Sequence, residues 1–207
     1  MKNLIEGAIS FRSRYFYEHQ STYEKLSSSQ NPHTLFITCA DSRIMPERLV
    51  SARPGELFVV RNIANMIPDY SNDNNHLTVP AAIEYAVKVL NVENIVVCGH
   101  SNCGGIAALF KKPEELAHLP HASEWLKLGT SVRERTLQMC DPDDIQAIKE
   151  TAERQNIIRQ IESLMTFPYV KELYDQQKIN ISGWYYMIDS GKIFIYNMET
   201  GGFDLIN

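Results

Sequence analysis

Three short apolar runs set the limits on what this chain can fold into: TLFITC (Thr34 to Cys39), ELFVVR (Glu56 to Arg61) and NIVVCGH (Asn94 to His100). Each is rich in β-branched and aromatic residues, and turn chemistry such as SSSQNP and RPGE precedes the first two. The first two barely alternate with polar residues, which suits strands covered on both faces. Between the second and third, TVPAAIEYAVKVL reads as a helix, with Pro80 in its first turn and a stripe of Ala82, Tyr85, Ala86 and Val89. Strands separated by helices demand crossover connections, hence an α/β fold with a mainly parallel sheet.

The rest of the chain fits around that sheet. Residues 1–27 carry Leu4, Ile5, Ala8, Phe11 and Tyr15 at helical spacing and form an amphipathic arm. IPDYSNDNNH is a polar loop. Residues 113–165 are mostly helical, broken near Pro120 and CDPDD, where Asp141 suits an N-cap. DSG between two β-rich runs near the C-terminus signals a hairpin. The expected architecture is a central, mainly parallel sheet of four strands with an antiparallel edge strand, flanked by helices. A chain of 207 residues, 44% of them hydrophobic, supplies one core. The organisation read from it is a single domain over 1–207: an arm (1–30), a site-bearing core (34–110), a helical region (111–170) and a hairpin (180–207).

The net charge of −5 comes without a basic face, so neither a nucleic acid nor an anionic membrane is an expected partner. No run approaches 18 apolar residues, and the opening stretch is interrupted by Glu6, Arg12 and Arg14. A cytoplasmic protein is therefore expected. Cys39, Cys98, Cys103 and Cys140 are then reduced thiols rather than a disulfide framework, with Cys98 and Cys140 as ordinary small core residues.

Two of those thiols sit where chemistry concentrates. Cys39 ends the first strand, and Asp41 and Arg43 follow at two-residue steps. CGHSNCGG places His100 and Cys103 where the third strand gives way to a helix expected to begin near Ser101. In open parallel sheets, ligands collect outside the carboxyl ends of the strands. Two thiolates and an imidazole delivered there form a ligand set for catalytic zinc, with a fourth position left for water. Other readings stand beside it. A structural zinc site would have four protein ligands. A thioredoxin-like redox site would need C-x-x-C, which is absent. A histidine at a strand end is commonly just a hydrogen-bonded polar residue.

CADSR followed about sixty residues later by GHSNCGG resembles the β-class carbonic anhydrases. PGELFVVRNIAN, AAIEYAV and GWYYMIDSGKI carry the resemblance through nearly the whole chain. It implies reversible hydration of CO2 to bicarbonate, with one Zn2+ per subunit on Cys39, His100 and Cys103. It makes Asp41 and Arg43 a dyad with two states: Asp41 either pairs with Arg43 or swings over to become a fourth metal ligand. Gln30, Phe58, Ile63, Tyr85 and the Gly104 N–H match the family's substrate pocket, and the subtype implied is the plant-like one. Phe36 stands where bicarbonate-inhibited members tend to carry tryptophan; Arg61, near that inhibitory site, is common to the family. The resemblance implies a homodimer or dimer-based oligomer in which Gln30 and Tyr85 reach the neighbouring subunit's zinc. The chain departs from the family at HLTVP, where Thr78 and Pro80 stand in place of frequent glycines, so the pocket rim there should differ in shape. His33, His76 and Tyr85 are the candidate proton shuttles. Two rivals share these motifs: a hydrolase of a CO2 analogue such as carbon disulfide, and a non-catalytic zinc-binding scaffold, which would have no need of the dyad.

Overall fold

A computed structural model of the chain describes residues 1–71 and 76–206. Its centre is a six-stranded sheet in the order β2-β1-β3-β4-β5-β6. The strands are β1 (Thr34–Cys39), β2 (Leu57–Asn62), β3 (Asn94–His100), β4 (Asn180–Tyr186), β5 (Ile193–Tyr196) and β6 (Phe203–Leu205). The first four are mutually parallel; β5 and β6 add two antiparallel strands, one more than the sequence suggests. Every residue of β1 is buried, as expected for a strand covered on both faces. The matching expectation for ELFVVR fails, because β2 is the sheet's edge and is only half-buried.

Side chains of β1 and β3 alternate between two clusters. Leu35, Ile37, Ile95 and Val97 join the larger one, beneath the helices Thr78–Lys88 and Ile145–Met165. Phe36, Val96 and Cys98 face the other way, against Leu49, Val50 and Trp184. A cavity of about 310 Å³ opens on that second face.

The Thr78–Lys88 helix buries Val79, Ile83, Ala86 and Val87; of the expected stripe only Ala86 is fully buried, and Tyr85 and Val89 are exposed. The face chosen carries the larger branched aliphatics, so it removes more apolar area from water. In the second break of the helical region, Asp144 rather than Asp141 caps the long helix, accepting from the Ala147 N–H. Asp141 instead closes the preceding turn through the Asp143 N–H. Of the polar loop at 67–76, residues 72–75 lie outside the described residues. No helix among the described residues is long and apolar enough to cross a membrane.

The long helix Ile145–Met165 sits close on the sheet because β3 and β4 present glycines beneath it. A Cβ on Gly99 would stand 2.8 Å from Ile157 Cγ1, and one on Gly183 would stand 2.7 Å from Ile157 Cγ2. Ile157 is itself buried, so it has nowhere to yield. Gly99→Ala should therefore cost about 1–3 kcal/mol by overpacking. Urea unfolding would read this as a lower midpoint at unchanged slope, and an unchanged midpoint would count against so tight a seat.

Candidate metal centre

Two parallel neighbours, β1 and β3, end side by side, and their C-terminal ends carry Cys39 and His100. The turn after β3 brings back Cys103. Asn102 turns the backbone in the left-handed region (φ 57°), and the Cys103 N–H is taken by the Glu153 carboxylate at 3.0 Å. The next helix consequently starts at Gly104, and Cys103 is its extended N-cap residue (ψ 114°). The expected helix start near Ser101 is thus three residues early. A hydrogen bond from fifty residues away keeps the turn open, and sequence spacing does not register it.

The three side chains meet. The Cys39 and Cys103 sulfurs are 4.0 Å apart, and the three ligand atoms all lie within 4.8 Å of one another. Cys39, His100 and Cys103 are 5%, 1% and 2% exposed. His100 Nδ1 donates to the Ser101 carbonyl at 2.9 Å, which fixes the tautomer and leaves the Nε2 lone pair facing inward. That Nε2 is buried with no hydrogen-bond partner among the described residues. A buried polar atom without a partner is costly, and a cation among these donors would satisfy it. Two soft sulfurs with an imidazole nitrogen are donors that suit Zn2+.

The electrostatics run the same way. The Cys103 thiol beside it holds the Cys39 thiol well below the usual thiol range, against the effect of burial; His100 and the backbone at Asp41 and Ala64 act in the same direction. Cys103 moves up in turn, because its neighbour already holds the negative charge. Burial opposes charging of His100, but the Cys39 sulfur, the Ser101 carbonyl and Asp41 raise its proton affinity overall. Cys98, fully buried and pushed up to about 12, is an inert core thiol, as expected.

Asp41 and Arg43 form a two-pronged pair: Nε to Oδ1 at 2.8 Å and Nη2 to Oδ2 at 2.7 Å. The Arg43 backbone N–H adds a third bond to Oδ1. This pairing holds the Asp41 carboxyl well below the usual carboxylate range. Asp41 Oδ2 lies 3.9 Å from His100 Nε2, so the carboxylate borders the cluster without entering it. Arg43 also donates to the Asn102 carbonyl, tying the dyad to the turn that carries Cys103. Arg61 donates to the carbonyls of Cys39 and Asp41, fixing the chain between them.

The remaining predicted site residues divide into two groups. Ile63 and Gly104 lie beside the cluster. Ile63 borders a cleft of about 570 Å³ that passes Ala40, Asn62, His76 and Trp125. Gly104 faces open space. Gln30, Phe58 and Tyr85 are not brought to the cluster of their own chain. Gln30 is exposed ahead of β1. Phe58 pairs in register with Leu35, four residues short of the Cys39 level, and its ring stacks on Tyr85 at 6.0 Å. His33 is at the opposite end of β1, about 20 Å of strand from Cys39, so it is not a proton shuttle for the cluster of its own chain. Sequence reasoning missed Trp125, whose Nε1–H holds the Ile63 carbonyl at 2.9 Å, and Glu153. Glu153 had a signal: a charged residue on the apolar face of a long helix.

The family model described as carbonic anhydrase matches residues 34–193. A carbonic anhydrase of Synechococcus elongatus is 38% identical over 193 residues, covering 93% of this chain and 70% of that protein. The solved structure of the β-carbonic anhydrase CcaA superposes with a TM-score of 0.92 at 35% identity, covering 100% of this chain and 99% of that one. One of two tetrameric β-carbonic anhydrases from Sordaria macrospora superposes at 0.75 with 29% identity, covering 92% and 95%.

Proposed function

This chain belongs to the β-class carbonic anhydrases, and from that premise we propose that it interconverts CO2 and bicarbonate using one Zn2+ per subunit held by Cys39, His100 and Cys103. The observation that carries the metal assignment is the buried, unpartnered His100 Nε2 facing two sulfurs. A bound Zn2+ would act as a Lewis acid that brings the pKa of a water down to about 7, supplying a nucleophile near neutral pH.

The chain's own residues do the rest. Asp41, ionised and clamped by Arg43, would accept a hydrogen bond from the attacking oxygen and so orient it. Arg43 also holds the carboxylate off the metal, which favours the open state of the dyad. Ile63 gives the cleft an apolar wall suited to a linear, uncharged substrate. The Gly104 N–H, in a first helical turn where such groups lack intrahelical acceptors, is placed to donate to the developing oxyanion. Of the shuttle candidates, His76 lines this cleft with Ala40 and Ile63 and is the one we assign to carry the proton outward. The test is zinc content of the purified protein together with stopped-flow CO2 hydration and a parallel CS2 assay. Stoichiometric zinc with CO2 turnover supports the proposal. Turnover of CS2 alone would make it the analogue hydrolase, and zinc without either activity a scaffold.

Assembly is part of the proposal. The arm helices Lys2–Ser10, Phe16–Glu18 and Gln20–Leu26 bury no residue within this chain, although Leu4, Ile5, Ile9 and Phe11 are apolar. A second copy that covers them would also bring its Gln30, Phe58 and Tyr85 toward this subunit's cleft. Deleting residues 1–26 should therefore lower the mass measured by light scattering. An unchanged mass would remove the arm from the interface.

A further inference from the structure

The long helix Ile145–Met165 buries four polar side chains: Ser163 meets Arg159 of its own helix, and the other three reach into the core on the face that also carries Ala152, Ile157, Ile161 and Leu164. Glu153, Asn156 and Gln160 are 2%, 1% and 1% exposed. Their spacing places them on one stripe. Buried polar groups on an apolar stripe have to be satisfied, and their partners here are all backbone of the site's loops, one another or one tyrosine.

Glu153 Oε1 accepts from the Cys103 N–H at 3.0 Å, and Oε2 accepts from the Tyr185 hydroxyl at 2.8 Å. Asn156 Nδ2 donates to the Ala64 carbonyl at 2.9 Å. Gln160 donates to Asn156 Oδ1 at 2.8 Å and accepts from the Ile67 N–H at 2.6 Å. The segment so gripped is a strained one: Ala64 and Asn65 both sit in the left-handed region, at φ 60° and 47°. It is also the segment whose Ala64 shares one buried cluster with Cys39 and Cys103. Gly105 completes the arrangement. A Cβ there would stand 2.9 Å from Ala64 Cβ and from Ile63 Cγ2, so only glycine lets the Ala64 turn approach the helix that follows Cys103. One helix thus holds the backbone of Cys103 at one end and, at the other, the turn after β2 whose Ala64 is buried in one cluster with Cys39.

We infer that the Glu153–Asn156–Gln160 stripe is a positioning device for the metal centre, fixing the separation of the Cys39 and Cys103 sulfurs and thereby setting the affinity for the ion. None of the three touches the metal or the substrate. They act through the backbone of Cys103 and Ala64, as groups behind metal ligands do when they hold ligand geometry before the ion arrives. A stripe that served only to pack the helix on the sheet would lower the stability of the metal-free protein and leave the affinity alone.

This inference rests on the metal assignment above, and the experiment separates the two. Zn2+ affinity is measured by competition with a chromogenic chelator, beside the melting of the metal-free protein and the absorption spectrum of the Co2+-loaded form. Glu153→Leu should weaken Zn2+ binding about 10–100-fold and shift the Co2+ thiolate bands. Glu153→Gln keeps an acceptor for the Cys103 N–H, and the Tyr185 hydroxyl can rotate to meet the new amide; most of the loss should be recovered. If Glu153→Leu does not fold, Gln160→Met and Tyr185→Phe decide, because both keep the buried volume: weakening by about threefold or more in either supports the positioning role. Unchanged affinity in a folded Glu153→Leu, or in both milder variants, overturns it. Wild-type protein that binds no Zn2+ overturns the metal assignment instead.

Discussion

Cys103→Ala should yield a folded protein that retains no zinc and hydrates CO2 no faster than buffer. The substitution removes one of two sulfurs that stand 4.0 Å apart and leaves a single thiol with one imidazole. Two ligands fall short of the three that catalytic zinc sites take from protein. The fold should survive, because Cys103 makes its structural hydrogen bond through its backbone N–H to Glu153, and alanine keeps that N–H. With the ion gone, activity should fall to the uncatalysed rate, a loss on the order of 10⁶ or more for a typical enzyme. Elemental analysis and stopped-flow hydration on the same preparation measure both losses. Full zinc occupancy in the variant would remove Cys103 from the ligand set.

Asp41→Asn separates the dyad's role from that of the ligands. Asparagine keeps the size of the side chain but loses the charge, and its amide nitrogen can only donate. One of the two prongs to Arg43, at 2.8 and 2.7 Å, then sets donor against donor. The acceptor that orients the attacking oxygen is lost or turned away. Turnover should fall on the order of 10²-fold, the scale on which one preorganised hydrogen-bonding group acts in a reaction. Zinc content should stay full, because Asp41 borders the cluster and the three ligand atoms gather without it. Substantial zinc loss would instead make Asp41 a fourth ligand and the closed state the resting one. The depressed pKa of Asp41 also fixes a sign. A carboxylate held by a cation in the folded protein favours folding above its unfolded pKa, and that contribution disappears as pH falls through the folded value. The dyad is thus intact across the neutral range and should fail only in strong acid.

The distance between reading and structure shows where local rules end. Thr34–Cys39 and Asn94–His100 are strands with the bounds read from the sequence, because a short apolar run closed by turn residues leaves little choice. The Thr78–Lys88 helix was legible as a helix, but not the face it buries. Several apolar stripes coexist in AAIEYAVKVL, and the sheet beneath selected the one with Ile83 and Val87. The start of the helix after Cys103 was missed because the group that keeps Cys103 out of it, Glu153, belongs to another element. Trp125 left no trace in pattern at all; its bond to the Ile63 carbonyl exists only because two distant segments meet.

The sequence by itself determined the chemistry: two thiols and an imidazole at strand ends, an acid and a guanidinium two residues apart, and the parallel sheet that places strand ends together. Those follow from residue type and short-range spacing, which the chain carries locally. The tertiary structure decided what distance in sequence conceals. It left His100 Nε2 without a hydrogen-bond partner among the described residues, set Asp41 against Arg43 and short of the cluster, and placed Phe58 and Tyr85 away from the thiols of their own chain. Above all it set a buried stripe of the long helix behind the turn that carries Cys103 and the turn after β2 that is buried with Cys39. Hydrogen bonds across fifty to ninety residues exist only after the core has closed, so no local pattern could announce them.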